Sequence, residues 1–248
     1  MKILLSGMKG FMGGEIVRLC EKEGSGAEIV AGVDINADGS ESIQCFKSFE
    51  NANADADVII DFSHYSLTEE LLRFAVGNKM PLVLATTGQT ESQKALIEKA
   101  SKEIPLFFAA NYSLGIALLI ELAKKTAETF PDADIEIVET HHNRKTDAPS
   151  GTALAIFEAL KTVRKNAVKK LGRAGADKRT AEEIGIHAVR MGNIAGIHEV
   201  IVGTQNQTVT LKHEAHSRAL FAEGALAAAR FLCGKAPGLY TMNDLIKE

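Results

Sequence analysis

The sequence predicts an α/β protein in two parts. A parallel-sheet domain takes residues 1–112 and 217–248, and an α+β domain with an open mixed sheet takes residues 113–216. Three observations carry this reading. Short apolar runs alternate with segments of helical spacing through the first half, the pattern of a parallel sheet covered on both faces. The second half changes to longer strand segments, two of them joined by a turn. The chain then closes on an alanine-rich helix whose apolar face needs a partner.

The elements follow in order. Ile3–Ser6, Glu28–Val33, Val58–Asp61, Leu82–Ala85 and Leu106–Ala109 read as strands, because each is a short, nearly continuous apolar run. Between them, 13–23, 66–78 and 91–102 place apolar residues three and four apart and read as helices. A longer helix over Leu114–Thr129 ends at Phe130-Pro131-Asp132, where proline forbids its continuation. Ile135–Thr140 is a strand that runs into the polar segment His141–Ser150, and a helix starts near Gly151. Asn166–Glu183, rich in Lys, Arg, Gly and Ala, reads as a surface loop or ragged helix. Ile184–Arg190, Gly196–Val202 and Thr208–His213 are strands, the last two forming an antiparallel hairpin through Gly203-Thr204-Gln205-Asn206. Ala215–Leu232 is the closing helix, expected to pack back on the first domain. No internal repeat or low-complexity linker interrupts this order.

Composition narrows the function class. The 248 residues carry a net charge of −4, with 46% apolar and 24% charged residues, as an ordinary globular protein does. Nothing here attracts nucleic acid or an anionic membrane, so any bound anion needs a local basic site. Cys20, Cys45 and Cys233 are odd in number and far apart, which argues against a disulfide framework or a zinc knuckle and for a reducing, cytoplasmic setting. The apolar run after Lys2 is too short for a signal-peptide core, and no segment approaches the length of a membrane span.

Gly7-Met8-Lys9-Gly10-Phe11-Met12-Gly13 lies between the first strand and the first helix. In that setting glycines allow a tight turn, close helix–strand packing and the approach of backbone N–H groups to a pyrophosphate. The same glycines would also serve a turn with no ligand. Asp34 follows the second strand, where an acid can accept hydrogen bonds from both ribose hydroxyls of a dinucleotide and would repel a 2′-phosphate. With Ile35-Asn36 next and no arginine among them, NADH is favoured over NADPH.

The densest chemistry sits in Glu139-Thr140-His141-His142-Asn143-Arg144-Lys145-Thr146-Asp147-Ala148-Pro149-Ser150-Gly151-Thr152-Ala153. Two histidines, an arginine and a lysine precede Ser150, an N-cap candidate. The first N–H groups of the following helix, at Gly151 and Thr152, form an anion site with the helix dipole. Cations beside it suit a substrate with two carboxylates, and histidine and lysine are proton donors once tuned by burial. Asn143 and Arg144 read as solvated loop residues, and Asp147 as a group that fixes the loop by side chain–backbone hydrogen bonds. A metal pair of His141 and His142 with His213-x-x-His216 lacks a cysteine or acid cluster to complete it, so no metal is expected.

This fifteen-residue stretch resembles the signature of the dihydrodipicolinate reductases, and the similarity runs over nearly the whole chain. Asp61-Phe62-Ser63, Thr86-Thr87-Gly88 and Asn111-Tyr112-Ser113-x-Gly115 fall where that family places cofactor loops, and Arg190-x-Gly192, Gly196-x-His198 and Gly238-Leu239-Tyr240-x-Met242 resemble its later segments. The resemblance implies a Rossmann-type domain plus a substrate and oligomerisation domain that assembles a homotetramer. It also implies NAD(P)H-dependent reduction of a small cyclic dicarboxylate to tetrahydrodipicolinate, in the diaminopimelate route of lysine biosynthesis. Carried over by position, His141 and Lys145 are catalytic, with the division of labour between them left open. His142, Ser150, Gly151 and Thr152 bind substrate. Gly7, Gly10, Phe11, Met12, Gly13, Asp34, Phe62, Ala85, Thr86, Thr87, Gly88, Asn111, Tyr112 and Ser113 bind the cofactor. Phe11 stands where many members carry arginine and Ile35 where a second arginine can follow the strand-end acid, and both losses weaken the case for NADPH; Ala85 and Ala117 also depart from the family's frequent glycine and asparagine.

Two rivals remain in view. A sister dehydrogenase acting on a semialdehyde would usually carry a cysteine near the domain junction, and the three cysteines lie elsewhere. A nonenzymatic dinucleotide sensor would leave the basic loop unused.

Overall fold

The computed structural model describes residues 1–52 and 55–247, so Glu248, the last residue of the predicted first domain, lies outside it. The chain forms β1 (Lys2–Ser6), α1 (Phe11–Cys20), β2 (Glu28–Val33), β3 (Cys45–Phe46), β4 (Val58–Asp61), α2 (Thr68–Gly77), β5 (Leu82–Leu84), α3 (Glu91–Ala100) and β6 (Pro105–Phe108). There follow α4 (Leu114–Thr129), β7 (Asp134–His141), α5 (Gly151–Val163), β8 (Val168–Leu171), β9 (Glu183–Arg190), β10 (Gly196–Gly203) and β11 (Thr208–Ala215). The chain ends with α6 (Ala219–Leu232), β12 (Gly238–Tyr240) and α7 (Met242–Leu245). Two compact units emerge, Met1–Ser113 with Ala219–Glu248, and Leu114–Arg218.

In the first unit, seven parallel strands lie in the order β12-β6-β5-β4-β1-β2-β3. The central strands of this sheet are nearly continuous apolar runs because both faces are covered. Leu4, Ile59, Leu82 and Leu106 face a core that includes Leu71 and Leu72 of α2 and Ile97 of α3. The opposite face is closed by α1 and by α6, which packs on α1 and on β4 to β6. Each fully buried leucine or isoleucine here stabilises the fold by about 1.5–3 kcal/mol. β1 is flanked by β2 on one side and β4 on the other, so the strand order reverses between β1 and β4. The crevice at the carboxyl ends of those two strands is where α/β sheets of this kind take a ligand.

In the second unit, five strands lie in the order β11-β10-β7-β9-β8. β10 runs antiparallel to β11 and β7, whereas β7, β9 and β8 run parallel, which makes the sheet mixed. β7 alternates strictly: Ile135, Ile137, Glu139 and His141 are buried while Glu136, Val138 and Thr140 are half-exposed. The buried face packs on Ile116, Leu119 and Ala123 of α4 and Ile156, Phe157 and Leu160 of α5.

Several expectations need correction. The closing helix begins at Ala219, because Ala215 ends β11, paired with Gly196. The 166–183 segment contains a strand, β8, whose edge position leaves Val168 and Leu171 exposed beside lysines and so hides the pattern. The first helix runs from Phe11 to Cys20, starting two residues earlier and ending three earlier than its apolar spacing suggests. β3 and β12 are two and three residues long, too short to show any period.

Candidate active site

In the first unit the site grows from the end of β1. Gly7 adopts φ +76°, and its N–H donates to Val33 O at 2.8 Å. A Cβ at this position would lie 2.5 Å from Phe62 O, so only glycine lets the β1 and β4 loops touch. Gly13 is also a packing position, since its Cβ would come within 2.3 Å of Gly7 O. Gly10 caps α1 without a side-chain bond, and helix geometry leaves the N–H groups of Phe11, Met12 and Gly13 with no intrahelical carbonyl. The loop therefore presents bare donors where a pyrophosphate would sit. This set fits a dinucleotide.

Asp34 is buried, and its carboxylate accepts from Lys9 N–H and Asn36 N–H, both at 2.9 Å. The Lys9 ammonium, the one cation of the loop, is held by Asp38 at 3.0 Å and Glu41 at 2.7 Å. These bonds push the Lys9 pKa up and both carboxyls down. Phe11 and Ile35 are both strongly exposed, at 66% and 69%.

At the end of β4, Asp61 is fully buried and accepts from the hydroxyls of Ser63 at 2.6 Å and Thr86 at 2.6 Å. Burial pushes its carboxyl above the ordinary range, against the hydrogen bonds it accepts. The residue thereby ties the β4 and β5 loops together around a cavity of about 310 Å³, lined by residues including Phe62, Tyr65, Ala85 and Thr87. Gly88 adopts φ +95°, and a Cβ there would lie 3.3 Å from Tyr65 Cδ1. Thr87 and Gly88 are exposed, whereas Thr86 spends its hydroxyl on Asp61. Tyr112 turns into the core, where its hydroxyl donates to Leu84 O and lies 3.1 Å from Phe107 O. What Tyr112 can offer a ligand is its backbone. Ser113 is likewise buried, and its N–H donates to Asn111 Oδ1 at 2.8 Å.

In the second unit the buried face of β7 changes character at its carboxyl end. Ile135 and Ile137 give way to Glu139 and His141, and on β10 Val202 and Val200 give way to His198 and Gly196. Register sets His198 opposite Glu139, and Arg190 of β9 beside His141. His141 Nδ1 lies 2.5 Å from Glu139 Oε2, and its ring stands 5.2 Å from that of His198 at 76°. Glu139 also accepts two hydrogen bonds from Arg190, each 2.8 Å, and one from Ser150 N–H at 3.0 Å. Burial pushes the Glu139 carboxyl up, but the bonds from Arg190, His141 and Ser150 prevail and hold it below the usual carboxylate range. Ser150 caps α5, its hydroxyl accepting from Ala153 N–H at 3.2 Å and lying 3.2 Å from His198 Nε2. Burial drives the His198 pKa down to about 4. Burial, and then the nearby Arg144 charge, lower that of His142 as well.

Lys145 is one turn away, its ammonium paired with Asp147 at 2.8 Å. Asp147 thus steadies the loop by an ion pair as well as by a hydrogen bond from its own backbone N–H, and both hold its carboxyl below the usual range. Arg190 grips the same loop by donating to Asp147 O at 2.6 Å, and His142 N–H donates to Ile194 O at 2.8 Å. Arg144 donates to Asn193 Oδ1 at 2.6 Å, so it is not merely solvated. Gly151, exposed at the first position of α5, has no atom within 4 Å of an added Cβ, which leaves the helix start open to an anion. The cluster offers an imidazole, an ion-paired ammonium and a helix N-terminus at one strand end, equipment that can hold and protonate a carboxylate-bearing ring. Among the described residues no three His, Cys, Asp or Glu side chains converge as a metal site, and no helix is long and apolar enough to cross a membrane.

Residues 1–112 match the family model for the N-terminus of dihydrodipicolinate reductase, and residues 115–246 match the model for its C-terminus. The chain belongs to the dihydrodipicolinate reductase family. Curated proteins named 4-hydroxy-tetrahydrodipicolinate reductase agree. That of Caldanaerobacter subterraneus subsp. tengcongensis is 45% identical over all of this chain and 98% of its own length. That of Clostridium novyi is 42% identical at the same coverage. Among solved structures, a dipicolinate-bound dihydrodipicolinate reductase from Paenisporosarcina sp. TG-14 aligns with TM-score 0.81 and 25% identity, over 97% of both chains. A probable dehydrogenase from Thermotoga maritima, 12% identical with TM-score 0.66 over 99% of this chain and 92% of that one, shares the fold alone.

Glu139, Arg190 and His198 belong to this cluster, although the sequence reading quoted them without giving them a role. Period-two alternation put Glu139 in line with Ile135 and Ile137, which was the available signal. Arg190 and His198 stand in segments that resemble the family, but their place in the cluster is set by strand pairing, which no local pattern reports.

Proposed function

We propose that the chain reduces 4-hydroxy-tetrahydrodipicolinate to tetrahydrodipicolinate with loss of water, in diaminopimelate and lysine biosynthesis, and that it prefers NADH. The first unit takes the dinucleotide and the second the dicarboxylate. The observation that carries this reading is the cluster of His141, Lys145 and Ser150 at the junction of β7 and α5, on a chain whose relatives bear that name along their whole length.

A nicotinamide dinucleotide held in the first unit would supply hydride. The chain's own residues do the rest. Gly7 and Gly10 open the loop, so the first N–H groups of α1 would hold the pyrophosphate of a dinucleotide and Asp34 would accept from its adenosine ribose. Phe62, Thr87 and Gly88, with the backbone of Asn111 to Ser113, shape the nicotinamide end. Gly151 and Thr152 donate backbone N–H bonds to one substrate carboxylate, and Ser150 and His142 flank it. Lys145, released from Asp147, binds the substrate and offsets negative charge that develops on the ring. His141 delivers the proton.

NADH preference rests on charge. A 2′-phosphate would approach Asp34, Asp38 and Glu41, and the only nearby lysine of the loop is already spent on two of them. Apolar Phe11 and Ile35 give it no compensating cation.

The test is oxidation of NADH and NADPH with substrate generated in place from pyruvate and aspartate semialdehyde by a coupling synthase. Turnover with a higher kcat/KM for NADH supports both parts. In Asp38→Asn/Glu41→Gln, which frees Lys9, kcat/KM for NADPH should rise about tenfold, worth ~1.4 kcal/mol. No turnover from folded, NADH-binding protein would sink the assignment.

A further inference from the structure

We propose that Glu139, with Arg190 as its counter-ion, is the positioning residue of the reaction. It fixes His141 as the Nδ1–H tautomer and yokes that ring to the start of α5, so that Nε2 is the atom presented to substrate. The inference rests on the proton-donor role given to His141 above and adds what controls it.

The saturation of the Glu139 carboxylate carries the argument. The residue is wholly buried, with bonds from His141 Nδ1, Ser150 N–H and both terminal nitrogens of Arg190. A carboxylate offers about four lone-pair sites and, when ionised, only accepts. All four are filled. His141 Nδ1 must then carry its hydrogen, which leaves Nε2 as the nitrogen that exchanges protons. The surroundings agree. A Cβ at residue 196 would stand 3.1 Å from His141 Nε2, and a glycine keeps that flank clear.

The same carboxylate joins pieces that are distant in sequence. Through His141 it holds the donor, through Ser150 N–H the anion-binding helix start, and through Arg190 the Asp147 carbonyl beside Lys145. A group placed only for stability would not need this arrangement, since buried ion pairs contribute little that a well-packed apolar pair could not. A ring held by a carboxylate in one tautomer is what a proton-transfer step requires.

The experiment uses the full-length protein labelled with nitrogen-15 histidine, with His141 assigned by the signals lost in His141→Gln. Neutral His141 of the unsubstituted protein should show the Nδ1–H pattern. In Glu139→Gln the amide N–H₂ can face Nδ1, and the pattern should switch to Nε2–H. Its kcat should fall by at least about a hundredfold while NADH affinity changes by less than about threefold, because the first unit is untouched. Glu139→Asp should restore the Nδ1–H pattern and at least about tenfold of the lost kcat. An Nε2–H pattern in the unsubstituted protein overturns the inference even if no variant folds. So does Glu139→Gln with kcat within about threefold of normal. Full activity in His141→Gln would instead sink the donor role itself, leaving the tautomer result to stand alone.

Discussion

His198 makes the second unit acid-sensitive in a way that can be worked out. Its ring is 4% exposed, beneath the start of α5, with Nε2 on Ser150 Oγ and Nδ1 buried without a partner. Burial lowers its pKa from the ordinary 6.5 to about 4. A base whose folded pKa is depressed binds fewer protons folded than unfolded, so stability is unaffected above about pH 7.5 and falls as pH drops from 6.5 through 4. From about pH 7.5 to about pH 5.5 the linkage relation gives a loss of about 1.3 kcal/mol from this group, reaching ~3 kcal/mol near pH 4. For a chain of this size the first figure corresponds to about 3–5 °C in Tm. The upper window avoids the Glu139 carboxylate, whose stabilisation is lost only at lower pH, as pH falls through its depressed value. His142 and His213 are depressed as well and act in the same direction, so subtraction is needed. His198→Gln keeps a donor at the Nε2 position for Ser150 and cannot titrate. Urea denaturation of both proteins at the two pH values, at one protein concentration, is the assay. The variant should lose about 1.3 kcal/mol less than the unsubstituted protein between them. Equal losses would refute the claim that burial holds His198 neutral.

Other perturbations follow from single contacts. In Gly224→Ala the new Cβ would lie 1.7 Å from Tyr112 O, so α6 must shift away from the Asn111–Ser113 loop. Stability should drop by about 1–3 kcal/mol and NADH binding weaken, both read from one urea and dinucleotide titration series. Gly14→Ala in α1 meets nothing within 4 Å and should instead stabilise by about 1 kcal/mol, the ordinary helix gain. Asp61→Ala strips Thr86 and Ser63 of their acceptor. A cost of about 1–3 kcal/mol is expected, with weaker NADH affinity in a fluorescence titration; unchanged affinity would show that the β4 and β5 loops do not depend on it.

What sequence reveals here is what repeats locally. The buried parallel strands, the glycine loop after β1 and the cap before α5 are written in runs of a few residues, because burial on two faces and helix capping are short-range demands. The same rule explains the misses. β3 and β12 are too brief to carry a period, and exposed edge strand β8 has no buried face to announce it. Ala215 belongs to β11 because its place is set by pairing with Gly196, which no helix propensity reports.

The site divides along the same line. His141, Lys145 and Ser150 lie within ten residues of one another, so a basic loop running into a helix cap is legible from spacing, while their roles come from the family resemblance. The charge environment around them is not legible there. Glu139 meets Arg190 across fifty-one positions and Ser150 meets His198 across forty-eight, distances closed only by the register of β7 with β9 and β10. Likewise Lys9 is the one cation in the sequence of the glycine loop, and the β2–β3 connection brings Asp38 and Glu41 onto it. The sequence by itself determined which groups and which sheet; the tertiary structure decided their partners, because a carboxylate's effect depends on distance in space and strand pairing alone sets that distance.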